Sequence, residues 1–157
     1  MLWYPSHQSD PPALELADRH YSRTVRGSAQ LGPPGTKITL LTAGNDALWQ
    51  SVWPKYPQHH WGDCWLCTYF RNESTAIASQ LIRDAMAVTR HHWGEVRPFL
   101  TFVNPRKVRP TRVRGRDVWG WVFLKAGYQP CGKTARGLLA FKCLEKYLPE
   151  PEPSCSR

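Results

Sequence analysis

The sequence predicts a single α/β domain in which strand-like stretches alternate with amphipathic helical ones. Three observations carry that expectation. Runs rich in β-branched and aromatic residues, Lys37–Thr42, Ala47–Trp53, Trp65–Phe70 and Pro98–Asn104, are separated by turns bearing glycine and proline. Between the third and fourth runs, Ile77, Leu81, Ile82, Ala85, Met86 and Thr89 recur at helical spacing and define one apolar face. At 157 residues the chain matches one domain of common size, long enough to bury a core.

Taken in order, residues 1–12 mix aromatics with Pro5, Pro11 and Pro12 and read as an extended arm. Ala13–Arg23 offers a short helix with Leu14, Ala17 and Tyr21 inward, ending before Gly27. The Gly32–Gly35 turn leads to the Lys37–Thr42 strand, and Gly44–Asp46 turns into the Ala47–Trp53 strand. Pro54–Gly62 reads as an irregular aromatic loop. The Trp65–Phe70 strand runs into the long helix, for which Asn72 or Ser74 is the cap and Trp93-Gly94 the stop. Pro98–Asn104 is the clearest strand, and Pro105 ends it. Pro110 and Gly115 keep Arg106–Arg116 out of a helix, so it reads as an exposed loop. Asp117 caps a short helix over Val118–Ala126, stopped by Gly127, and Tyr128–Pro130 and Gly137–Leu144 close the fold as a strand pair. The domain is thus expected over 13–148, with 149–157 a disordered tail lacking apolar residues to bury.

Lys and Arg number 21 against 12 Asp and Glu, a net charge of +9, and there are eight Trp. Cationic charge with many flat rings favours a nucleic-acid partner through phosphate neutralisation and stacking. Five cysteines and an amino terminus with neither a basic nor an apolar leader region point to a reduced, cytoplasmic setting. No apolar window is long enough for a membrane span.

Several stretches could carry chemistry. Arg71, Asn72, Glu73, Ser74 and Thr75 precede the long helix, where free N–H groups and the positive end of the helix dipole would coincide as an anion seat. His20-Tyr21-Ser22-Arg23 sets an imidazole, a phenol, a hydroxyl and a cation within four residues. Arg106, Lys107, Arg109, Arg112, Arg114 and Arg116 place six cations in eleven residues with no acid among them, a pattern suited to a polyanion. Cys64-x-x-Cys67, even with His59 and His60 nearby, makes no metal site, because i and i+3 of a strand face opposite ways and no second close pair follows. Glycine-rich phosphate loops and the Gly-x-Ser-x-Gly elbow are absent, which removes support for nucleotide or serine hydrolysis.

The order of strand, capped helix, strand ending in Asn104, short helix, Gly127-Tyr128 and strand pair resembles the GNAT acyltransferase fold over residues 36–145. Phe123-Leu-Lys-Ala-Gly-Tyr128 is similar to that family's late helix-to-strand motif. Arg71–Ala76 stands in place of the family's Arg/Gln-x-x-Gly-x-Gly/Ala loop but has no glycine, and Phe123 stands where a proton-donating tyrosine is common. His20–Arg23, Arg71-Asn72 and Phe102–Lys107 are similar to motifs of the Mom-like phage proteins, a divergent GNAT-like branch that modifies the exocyclic amine of adenine in DNA.

The resemblance implies a central mixed, mostly antiparallel sheet flanked by helices, an α+β arrangement. It also implies a group transferase acting on a base amine in double-stranded DNA, shielding phage DNA from restriction in the host cytoplasm. His20, Tyr21, Asn72 and Asn104 would be catalytic, with His20 the base and Tyr21 the donor to the leaving group, and Glu73 and Asp117 next in line. Arg71, Asn72, Glu73, Ser74 and Thr75 would hold an acyl-coenzyme A or related activated donor. Arg23, Arg106, Lys107, Arg109, Arg112, Arg114 and Arg116 would hold DNA. The alternatives are an acyl-coenzyme A enzyme acting on a protein or small-molecule amine, and a non-catalytic DNA-binding protein.

Overall fold

A computed structural model describes residues 2–29, 31–57 and 59–156; Met1 and Arg157, the ends of the expected arm and tail, lie outside the described residues. In chain order the elements are β1 (Trp3–Ser6), α1 (Pro11–Asp18), β2 (Gly35–Thr42), β3 (Ala47–Pro54), β4 (Trp65–Asn72), α2 (Ala78–Trp93) and β5 (Phe99–Val103). There follow β6 (Thr111–Val113), β7 (Arg116–Val118), α3 (Trp121–Lys125), β8 (Gln129–Lys133) and β9 (Leu139–Cys143), then a single 3-10 turn over Glu145–Tyr147. Seven strands form one sheet in the order β1-β2-β3-β4-β5-β9-β8, and β6 and β7 pair only with each other. The mixed, mostly antiparallel α+β arrangement is therefore observed.

One neighbour pair in the sheet is parallel. β4 meets β5 over just Trp65↔Phe99 and Leu66↔Leu100, and every other pair is antiparallel. Beyond that point a side chain takes over from the backbone ladder, as Thr101 Oγ1 donates to Cys67 O at 3.1 Å. The two strands part at their carboxyl ends.

A bulge decides what β4 shows on each face. Gln50 pairs with Tyr69 and Ser51 with Cys67, so Thr68 is an extra residue in β4. Trp65 and Cys67 face the main core, but the extra residue turns Tyr69 to the α1 side and Phe70 back to the core. Arg71 follows Tyr69 and reaches the chain at Arg19.

The main core lies between the sheet and α2. Leu81, Ile82, Ala85, Met86 and Thr89 of α2 are buried there, as the spacing predicts, together with Val88. Ile77, expected on the same face, is instead 68% exposed, because it lies at the cap position before the helix begins at Ala78. The left-handed Gly94 (φ 63°) ends the helix. Rings of Trp49, Trp53, Trp65, Trp93 and Phe99 meet at centroid distances of 5.0 to 6.1 Å, mostly edge to face. The aromatic surplus is therefore largely accounted for by packing: Trp3, Trp49 and Trp65 are fully buried and the remaining Trp are half-buried. Trp3, Trp49 and Trp65 lie inside the main core, Trp53, Trp93 and Trp119 pack against it from half-buried positions, and Trp61 packs on the opposite cluster, so these seven indoles serve packing.

Other boundaries also move. Within the stretch expected as an extended arm, Trp3–Ser6 are extended but add an edge strand to β2, and Trp3 Nε1 donates to Leu81 O at 2.8 Å. The first helix spans Pro11–Asp18, earlier than expected, with proline in its first turn where no N–H is needed. Neither Asn72 nor Ser74 caps α2; the cap position is Ile77, without a side-chain hydrogen bond. Asp117 lies in β7, and α3 begins after the left-handed Gly120 (φ 69°). The tail is not loose, since Arg90 Nη1 donates to Pro149 O at 2.9 Å, Glu152 N–H to Ala87 O at 3.2 Å and Cys155 N–H to Trp3 O at 2.9 Å. Backbone hydrogen bonds anchor it where apolar side chains are lacking. Among the described residues no helix is long and apolar enough to cross a membrane.

Candidate functional site

After α1 the chain turns at Arg19 and lays His20 and Tyr21 against the sheet where β4 and β5 part. Tyr21 Oη donates to Phe102 O at 3.2 Å and accepts from Asn104 N–H at 3.4 Å, so one phenol takes up two backbone groups of β5 beyond the end of the β4 ladder. His20 stacks on Tyr21 with centroids 4.6 Å apart and meets the edge of Tyr69 at 5.1 Å. The β4 bulge brings Tyr69 to that side. Beside them lies a surface depression of about 410 Å³ lined by Glu15, Arg19, His20, Tyr21, Arg23 and Arg26, among others.

Burial holds His20 down to about 4, helped by the positive charge of Arg71, so the imidazole is neutral at pH 7. Its Nδ1 accepts the Ser22 N–H at 3.2 Å and lies 2.7 Å from Ser22 Oγ. The neutral ring therefore carries its proton on Nε2, and the basic nitrogen is the one shared with Ser22. The same local turn recurs at His7, whose Nδ1 takes Ser9 N–H at 3.1 Å. Burial also raises the Tyr21 phenol, which keeps its proton as a donor.

The anion seat expected at 71–75 is filled from within. Glu73 forms a bidentate pair with Arg19, at 2.8 and 2.9 Å, and a second ion pair with Arg71. Hydrogen bonds from Arg19 and then Arg71 hold its carboxyl down to about 2. Backbone donors are consumed as well: Glu73 N–H goes to Asp46 O at 2.7 Å, Ser74 N–H to Asn72 Oδ1 at 3.0 Å and Ala76 N–H to Ser74 Oγ at 3.2 Å. Asn72 Nδ2 closes the turn on Ala76 O at 2.9 Å. A negative carboxylate with three committed N–H groups does not fit a pyrophosphate, so a coenzyme A donor held on this turn is not supported. Thr75 is exposed beside it.

The remaining candidates divide. Asn104 joins Tyr21 through its backbone, while its Oδ1 accepts Arg106 N–H at 3.0 Å. Arg23 is no surface cation: its side chain is 3% exposed, it pairs with Asp18 at 2.9 Å, and it also donates to Ser28 O. Asp18 further accepts Gly27 N–H at 2.9 Å, so these groups tie down the 18–28 loop. Arg106, Lys107, Arg109, Arg112, Arg114 and Arg116 are all exposed. The loop expected there is a β-ribbon, and Arg112 is paired with Asp117 at 3.0 Å. Cys64 and Cys67 belong to different clusters on opposite sides of the sheet. Arg19, Tyr69 and Thr101 were not singled out from the sequence, because nothing local marks them. Only the bulge and the chain turn after α1 assemble them.

Comparisons of the chain with models of protein families, with curated proteins and with solved structures gave no match.

Proposed function

We propose that this chain is a GNAT-like transferase that modifies an exocyclic base amine, adenine's above all, in double-stranded DNA, and so protects phage DNA from restriction. The observation that carries the reading is the single parallel strand pair, joined over two residues and then open, with His20 and Tyr21 at the opening. The strand order supports a GNAT-like architecture, and the cation-rich ribbon leaves β5 at Asn104, the residue that bonds Tyr21. DNA reaches such a site only with the target base out of the stack.

In this reading the base amine forms a bond to the electrophilic carbon of an activated donor as the bond from that carbon to the donor's leaving group breaks. The leaving group departs with the bonding electron pair, and the amine's proton passes towards the Ser22 hydroxyl and His20 Nδ1, the one basic nitrogen of the ring. Tyr21 keeps its phenolic proton and uses it on Phe102 O to hold the site's backbone frame. No step is assigned to coenzyme A, because Glu73 fills the turn that would bind it. That self-filled turn favours a second reading, a non-catalytic DNA-binding protein on the same fold. Mass analysis of nucleosides from DNA of cells expressing the chain separates the two. A new nucleoside that disappears in the His20→Ala variant supports the transferase; unmodified DNA alongside tight duplex binding supports the binding protein.

A further inference from the structure

Residues 106–118 form a device that the proposed DNA reading leaves undefined. β6 and β7 pair through Thr111↔Val118, Arg112↔Asp117 and Val113↔Arg116, and belong to no other sheet. Arg114 (φ 50°) and Gly115 (φ 78°) are both left-handed, as a two-residue turn matching the twist of a hairpin requires. The ribbon's root is fixed. Trp119 Nε1 donates to Val108 O at 3.0 Å, both residues pack on the main core, and Gly120 sits so close to Phe141 that a Cβ there would lie 2.6 Å from the ring. Its far end is solvent-exposed at Arg112, Arg114, Gly115 and Arg116.

We infer that this ribbon enters the major groove of duplex DNA, with Arg114 at its tip against base edges and Arg109 and Arg116 on the flanking phosphates. The inference rests on the DNA reading above. Size is the first argument: strands of three residues extend about 10 Å, against a major groove about 12 Å wide and 8.5 Å deep that accepts a two-stranded ribbon. Charge is the second. Five cations of the segment, Arg106, Lys107, Arg109, Arg114 and Arg116, are exposed and form no ion pair among the described residues, whereas Arg112 shares a ribbon face with Asp117 and is neutralised by it. Cross-strand alternation puts Arg116 on the opposite face from that pair. Arg112 is therefore held in reserve, and Asp117 is a negative element that limits how strongly the ribbon grips phosphate.

The test measures binding of the full chain to a fluorescent 20-base-pair duplex across a salt series. Arg114→Ala should weaken binding by about tenfold with little change in salt slope. Arg109→Ala and Arg116→Ala should each lower the slope by about 0.9. Arg112→Ala should change affinity less than about twofold, and Asp117→Asn should raise both affinity and slope by freeing Arg112. A duplex with bulky groups on the major-groove edge of its pyrimidines should not bind, while a minor-groove ligand such as netropsin should not compete. Normal binding by Arg114→Ala, or competition by netropsin with no effect of the major-groove groups, overturns the ribbon inference and leaves the DNA reading intact. Failure of the wild-type chain to bind duplex at low salt overturns both.

Discussion

Replacing His20 by Asn tests the electrostatics of the site through stability. The Asn side-chain oxygen can still accept the N–H two residues on, so the local turn persists while the titrating group is removed. In the folded protein the imidazole lies near 4 against an ordinary 6.5, a depression caused by burial and then by Arg71. A folded-state value below the unfolded one means that the unfolded chain binds the proton first. Its contribution is complete above about pH 6.5 and is lost as pH falls towards 4. A gap of about 2.5 pH units at 1.36 kcal/mol each gives about 3 kcal/mol for a fully enclosed ring, and partial solvent contact reduces the expectation to about 1–2 kcal/mol. Glu73 titrates lower, between 4.5 and about 2, and stays outside most of the window. His59, also held down by burial, is common to both proteins and cancels in the difference. Urea unfolding of wild type and His20→Asn at pH 7.5, 6.5, 5.5 and 4.5 should show wild type losing about 1–2 kcal/mol more than the variant. Parallel stability curves, or an imidazole resonance titrating at 6.5, would refute the account of a buried neutral ring.

Tyr21→Phe removes the hydroxyl that serves Phe102 O and Asn104 N–H; a loss of about 1–3 kcal/mol in chemical denaturation is expected, and no loss would mean that water replaces the phenol. Glu73→Gln should cost less than about 1 kcal/mol because its ion pairs are solvent-screened. The same variant should raise affinity for inorganic pyrophosphate by freeing Arg19 and Arg71, as titration calorimetry would show, and unchanged affinity would contradict the self-filled seat. Tyr128 is 2% exposed and its hydroxyl has no hydrogen-bond partner among the described residues, so Tyr128→Phe should leave stability unchanged or raise it by up to about 1 kcal/mol; a clear loss would reveal a partner for that hydroxyl.

Much of the fold was legible from local signals. Alternating aromatic and β-branched runs marked β2, β3, β4 and β5, and the 3.6-residue spacing marked the buried face of α2. These signals survive because each reports a side chain's relation to its own element. Gly94 and Gly127, left-handed at φ 63° and 105°, stop their helices where the sequence implied. The ends were harder to read. Trp3–Ser6 and the tail gain order from partners tens of residues away, and proline-rich composition gives no hint of those contacts.

What the sequence determined by itself is β2 to β5 and the long helix α2, the cationic 106–116 segment and the clustering of His20 with Tyr21, all of them properties of short windows; β1 and the β6–β7 ribbon were not among them. Tertiary structure alone decided how those pieces meet. One extra residue at Thr68 turns Tyr69 and Arg71 to the side where His20 lies, because side-chain direction in a strand reverses with each residue. Long-range pairing then spends charges that look free in the chain: Glu73 on Arg19, 54 residues away, and Arg71 on both Glu73 and the Arg19 carbonyl. Arg23 closes on Asp18 and becomes an internal brace, and a turn beginning at Arg114 brings Asp117 to Arg112. A charge is available to a partner only if no nearer counter-charge has claimed it, and that depends on distances in space that no local spacing encodes.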